Sequence, residues 1–180
     1  MTEPVQPHEL VRFWHEAGPD KWFDKNEAFD HEFTTRFLDA HMAAARRELD
    51  HWQREADSAL ALLILLDQFP RNAFRGTAHM FATDALALSF AREAVARGHD
   101  CAVDPALRVF FYLPFEHSEA LADQDRAMGL CEDLDGYAKY AHIHREVVAR
   151  FGRFPHRNAV LGRETTAEEQ AFLDEGGFAG

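Results

Sequence analysis

Apolar residues recur at helical spacing along almost the whole chain, and the residues between them supply start and stop signals. Leu10, Phe13 and Trp14, bracketed by Pro7 and Gly18, predict a short first helix. Phe29, Phe33 and Phe37 then recur every four residues behind Asp24 and Glu27, which have capping-box spacing. Asp50 and Gln53 repeat that spacing ahead of residues 56–69, where Leu60, Leu62, Leu63, Ile64, Leu65 and Leu66 leave no polar face. This stretch predicts a buried central helix, ended by Pro70 because proline lacks a donor and disfavours the α conformation before it. Further helices are expected over 77–97 closed by Gly98, over 106–112 behind Asp104-Pro105, and over 119–134 capped by Ser118. Two more are expected, over 137–151 closed by Gly152 and over 167–175 behind a Thr166/Glu169 capping box. No segment alternates with the period of a strand. The expectation is an all-α fold of roughly eight helices in antiparallel pairs with short connections, forming one domain over residues 1–180.

Polar residues inside apolar runs are the informative departures from this pattern. Asp67 and Gln68 end the aliphatic helix, and a buried carboxylate needs a charged or hydrogen-bonded partner; Arg71, four residues on, is the nearest, and another arginine would serve equally. An internal echo follows, since Gln68-Phe69-Pro70-Arg71-Asn72-Ala73 returns as Arg153-Phe154-Pro155-His156-Arg157-Asn158-Ala159 with one inserted histidine. Each copy reads as a turn after a long helix, with Arg and Asn available to free carbonyls or to a ligand. Glu116, His117 and Glu119 lie in a turn after Pro114, where functional groups tend to sit. His144 falls on the inward stripe with Tyr137, Ala141, Val148 and Phe151, a place that suits a hydrogen-bonded core histidine or a functional one.

These residues suggest a single polar pocket. Asp67, Gln68, Arg71, Asn72, Arg153, Arg157 and Asn158 are the candidate ligand contacts, and His117, Glu119, His144 and His156 the candidate acid–base groups. The chemistry fits a small carboxylated or phosphorylated anion. No metal-binding spacing, glycine-rich nucleotide loop or nucleophile elbow occurs, so neither metal nor cofactor is expected.

Charge sharpens the picture more than composition does. The 180 residues carry 31 Asp and Glu against 19 Lys and Arg, a net charge of -12 that excludes general electrostatic binding of nucleic acid. Residues 1–60 hold 13 acids and 7 bases, whereas 143–163 hold Arg145, Arg150, Arg153, Arg157 and Arg163 against Glu146 alone. Arginine outnumbers lysine 16 to 3, which suits bidentate recognition of carboxylate or phosphate and also matches the codon usage of a GC-rich genome. The longest aliphatic stretch, 59–66, is far short of the roughly 20 residues that span a bilayer. Residues 1–10 lack the basic start and apolar run of a leader, and Cys101 and Cys131 have no paired spacing, so a cytoplasmic chain with reduced thiols is expected.

Three separated motifs carry a resemblance. Leu65 to Gly76 (LLDQFPRNAFRG), Tyr112 to Glu119 (YLPFEHSE) with Gln124, and Arg150 to Arg163 (RFGRFPHRNAVLGR) followed by Thr165-Thr166-Ala167-Glu168-Glu169 resemble the signatures of the bacterial domain of unknown function 924 family. Trp14, Trp22, Phe23 and Trp52 match its N-terminal aromatics, although His15 stands where the family more often has a second aromatic. The resemblance implies an all-helical fold of the tetratricopeptide-like superfamily and brings no assigned reaction. Two functional readings stay open: an anion-binding pocket with histidine acid–base chemistry, or an interaction scaffold whose polar cluster is a buried structural network. Concentration of the unusual polar residues in three short turns favours the pocket.

Overall fold

The structure, a computed structural model, describes residues 5–180; Met1 to Pro4, the start of the stretch read above for a leader, lie outside the described residues. Every regular element among the described residues is helical, and no strand occurs. The helices are shorter and more numerous than expected, because several predicted runs are interrupted. No helix of the described residues is long and apolar enough to cross a membrane. The chain divides into two compact units, Met1–Arg75 with His79–Pro114, and Gly76–Ala78 with Phe115–Gly180.

The first unit begins with α1 (Pro7–Ala17), where Pro7 occupies the first turn and Gln6 and Glu9 form a capping box. α2 (Pro19–Trp22) follows Gly18 directly, and the Trp22 indole N–H donates to Trp14 O at 2.6 Å. α3 (Glu27–Ala45) is capped by Asn26, whose Oδ1 accepts the Phe29 N–H at 2.9 Å. The expected Asp24/Glu27 box is displaced because Asn26 already stands at the residue before the helix. Phe29, Phe33 and Phe37 do face inward, the first two stacked on Phe13 and Phe37 tilted against it, at centroid distances of 5.2–5.5 Å. Burying each such ring is worth roughly 1.5–3 kcal/mol, which holds α1 against α3.

The Asp50/Gln53 box does not form either: Asp50–Arg54 is a 3-10 turn, and α4 (Ala56–Leu63) starts from Glu55 without a side-chain cap. The central helix is buried on all sides as expected, yet it does not stop at Pro70. It widens into a π turn over Ile64–Gln68, with the Phe69 N–H returning to Ile64 O, and continues as α5 (Phe69–Ala73). Proline is tolerated because its missing N–H and bulky ring threaten the carbonyls of the preceding turn, and those carbonyls are bonded elsewhere. His41 Nδ1 bonds Leu65 O at 2.8 Å, the Thr83 hydroxyl donates to Leu66 O at 2.5 Å, and Arg71 donates to Asp67 O at 2.7 Å. Committing Thr83 in this way also splits the helix expected over 77–97 into a 3-10 turn, Ala78–Phe81, and α6 (Asp84–Ala96). Pro105–Phe111 is a 3-10 segment capped by Asp104, followed by α7 (Leu113–Glu116).

The second unit centres on a helical hairpin, α8 (Leu121–Cys131) and α9 (Ala138–Phe151). α8 begins two residues later than predicted, because the Ser118 hydroxyl donates to Asp123 at 2.7 Å and accepts the Ala120 N–H. Gly152, at φ 70°, closes α9 as expected. The chain then runs through extended Phe154, a 3-10 turn Pro155–Arg157 and α10 (Asn158–Leu161) to α11 (Ala167–Asp174), whose Thr166/Glu169 capping box is present in full. Val147, Val148 and Phe154 form the apolar core here, with Phe151, Phe172 and Phe178 packed against it.

Candidate functional site

The residues expected to line a pocket fall in both units, and each group has its own internal logic. In the first unit, Asp67 is 1% exposed and takes the Gln68 amide at 2.7 Å, with Arg71 at 3.5 Å. The same guanidinium holds Asp84 bidentately at 2.7 and 2.9 Å. Asn72 donates to Asp30 Oδ1 at 2.7 Å, and Arg75 grips that carboxylate from its other side. Asp67, Gln68, Arg71 and Asn72 are thereby tied into carboxylate pairs that fasten the π turn and α5 to α3 and α6. Asp30 and Asp84 were invisible to sequence reasoning, being ordinary helix-surface acids 42 and 13 residues from their partners.

In the second unit, the arginine-rich stretch meets acids from its own surroundings. Arg145 pairs with Asp125, Arg150 with Glu168, and Arg163 holds Glu119 through two bonds of 2.7 and 2.8 Å. Glu119 also accepts the Phe154 N–H at 2.9 Å. Burial alone raises the Glu119 carboxyl, but Arg163, the Phe154 amide and the charge on Arg157 outweigh it and leave the pKa below its usual value. A carboxylate fixed this way fastens two turns and is a poor proton carrier. Glu169 plays the same part more completely: Arg153 binds it at 2.6 and 2.8 Å, Asn158 Nδ2 at 3.2 Å and the Thr166 N–H at 2.8 Å. Arg153 foremost, and Thr166 after it, outweigh burial and hold its carboxyl down at about 2. In both copies of the echoed motif the asparagine amide therefore donates to a carboxylate.

Around Phe154 the arrangement differs. His144 lies edge-on to this ring at 5.7 Å, His156 is tilted over it at 5.6 Å, and the Arg157 guanidinium sits above it at 4.5 Å. His117 is 6.2 Å from His144, centroid to centroid. Arg157 is 6% exposed, and Asn158 is fully buried with Oδ1 lacking a hydrogen-bond partner. His144 Nδ1 lies 2.8 Å from Tyr140 O; a carbonyl only accepts, so Nδ1 carries the hydrogen and Nε2 the lone pair. Burial, reinforced by positive charge at His117, Arg157 and His156, pushes the His144 pKa down to about 4. Glu116, 1% exposed, brings Oε2 to 3.5 Å from His144 Nδ1 and accepts the Cys131 thiol at 3.3 Å. With the imidazole neutral, the Glu116 contact is no ion pair at pH 7. Sequence reasoning placed Glu116 in the turn without giving it a role; its burial against α8 and α9 depends on tertiary packing. Among the described residues, no group of three or more His, Cys, Asp or Glu side chains is placed to hold a metal ion.

Fold and site together define an all-helical protein with arginine–carboxylate fasteners and a histidine–arginine cluster packed on the buried Phe154 ring. The chain belongs to the DUF924 family, bacterial proteins of unknown function, whose sequence model matches residues 10–177. It is similar to a protein of unknown function, ATU0120, from Agrobacterium tumefaciens, whose structure matches with a TM-score of 0.92 and 62% sequence identity over 94% of this chain and 97% of that one. No curated protein matches the chain.

Proposed function

We propose that the second unit binds a small anion, a carboxylate or phosphate, with Arg157 as the charged contact and His144 Nε2 as the group that exchanges a proton with it. One observation carries this reading: a permanent cation, buried, and an uncharged imidazole, half-buried, flank the same Phe154 ring. A buried guanidinium favours an anionic partner, and a neutral imidazole beside it offers a lone pair at neutral pH. His117 and His156 add charge when protonated, and Glu116 orients His144. Arg153 and Asn158 serve this site indirectly, fastening its turn to Glu169. The free thiols Cys101 and Cys131 suit a cytoplasmic setting.

The competing reading is a tetratricopeptide-like interaction scaffold in which the polar cluster is structural. The saturated Arg71–Asp84 and Arg153–Glu169 pairs favour a structural role for those residues. A peptide groove, however, spreads its polar contacts along successive helix faces, whereas His156, Arg157 and Asn158 are consecutive in one turn. Titration calorimetry with inorganic phosphate and with citrate distinguishes the two. Saturable binding is expected, reduced at least about tenfold in Arg157→Gln while its melting temperature stays near that of the parent. Unfolding of Arg157→Gln, together with no binding by the parent, assigns the cluster to structure.

A further inference from the structure

The end of α11 has a geometry that the anion site alone does not explain. Gly176, at φ 79°, gives its N–H to Leu173 O, and the Gly177 N–H returns to Phe172 O at 2.9 Å, the paired bonds of a Schellman closure. A Cβ on Gly177 would lie 2.5 Å from Phe172 O and from the Phe172 ring, so only glycine passes there. The chain is thereby folded back over the last turn of α11, and Phe178 is delivered onto the histidine cluster. Its ring lies 4.5 Å from His144, 5.4 Å from His156 and 6.2 Å from Phe154, centroid to centroid. Gly180 continues the cover, with its Cβ position 3.2 Å from His156 Nε2. Past the Gly177 N–H, residues 178–180 form no hydrogen bond, so this cover is held by the contacts of one half-buried ring.

We infer that residues 178–180 are a displaceable cover whose Phe178 ring holds the place of a planar ring on the ligand, so that the site takes an anion bearing an aromatic group. The inference rests on the anion site proposed above and adds the class of its ligand. An aromatic ring stacks favourably on imidazole and on phenyl faces, and Phe178 supplies that contact until a ligand ring replaces it. The anionic group then reaches Arg157 while its ring takes over the His144 face. Phe178 competes with such a ligand, and a bare anion gains little from its removal.

The test compares phenyl phosphate with inorganic phosphate by titration calorimetry on the full chain, with Phe178→Ala and with Phe178→Leu, which keeps most of the side-chain volume if the alanine variant folds poorly. Phenyl phosphate is expected to bind the parent about tenfold more tightly than phosphate. Phe178→Ala, or Phe178→Leu to a smaller degree, should tighten phenyl phosphate several-fold and leave phosphate within about twofold. In NMR spectra, the ring-current shifts that Phe178 imposes on the His144 and His156 ring protons should vanish in Phe178→Ala and be replaced, with altered values, on adding phenyl phosphate. Equal affinity for the two probes overturns the inference and leaves the anion site standing. Weaker phenyl phosphate binding in both variants also overturns it, making Phe178 a fixed wall. If neither probe binds any of the three proteins, the anion reading fails and the inference falls with it.

Discussion

His144 and Glu169 show how the surroundings of one side chain decide what acid does to the protein. The unfolded chain protonates His144 near 6.5, the folded chain only near 4. Between those values the unfolded state binds more protons, so stability rises with pH across that window and is lost as pH falls from 6.5 to 4. The full contribution is on the order of 3 kcal/mol, and His41, also held low by burial, adds the same sign. Glu169 acts lower: its contribution is present above 4.5 and fades as pH falls towards 2. Urea unfolding at half-unit intervals from about pH 2 to 7.5 is expected to show this slope, and His144→Gln should flatten it above pH 4 while leaving the loss below pH 4 in place; an unchanged slope would place the His144 pKa near its ordinary value. The residue-level chemistry was partly legible. Thr166 and Glu169 announce a capping box, since its partners are three residues apart. Arg153 and Asn158 on the same carboxylate were not legible, because they reach it 16 and 11 residues along the chain, through a turn whose direction only packing decides.

At the scale of elements, the two Phe-Pro-containing motifs are alike in sequence and unlike in backbone. Phe69 is helical, at φ −52° and ψ −46°, while Phe154 is extended, at φ −92° and ψ 107°. The rule that proline pushes its predecessor out of the helix holds for the second copy and fails for the first. The difference lies upstream. Gly152 has already ended α9 before Phe154, whereas the π turn before Phe69 widens the helix enough to carry a proline ring. That turn in turn depends on side chains from α3 and from just before α6, which a local reading of residues 56–73 does not contain. Thr83→Val keeps the shape and removes the donor to Leu66 O, leaving that buried carbonyl short of a hydrogen bond. A loss of about 1–3 kcal/mol is expected in chemical denaturation. A loss under about 0.5 kcal/mol, the range of an ordinary surface substitution, would mean that Leu66 O is satisfied without Thr83. Helix existence was legible throughout, because apolar periodicity is set by local sequence. Helix ends were less so, because Asn26, Ser118 and Thr83 each had more than one possible partner.

For the whole molecule, the acidic balance describes the surface better than the site. The arginines of residues 143–163 form no bare basic patch, since Arg145, Arg150, Arg153 and Arg163 each carry a carboxylate. What remains distinctive is the packing at Phe154, where the Arg157 guanidinium and the imidazoles of His144 and His156 meet one buried phenyl ring. The all-helical architecture followed from the pattern of apolar positions, whereas the partition into two units left no mark in composition. The distribution of sulfur across those units has a practical consequence. Each unit holds a single cysteine, Cys101 exposed in the first and Cys131 fully buried in the second, where burial and the Glu116 carboxylate both push its thiol pKa up. A thiol reagent should therefore consume one equivalent at once and the second only as fast as the α8–α9 hairpin opens. If both equivalents react together in the folded protein, Cys131 is not shielded. Otherwise the slow phase is a built-in clock for the opening of the unit that holds the histidines, readable without a label, a ligand or an assay.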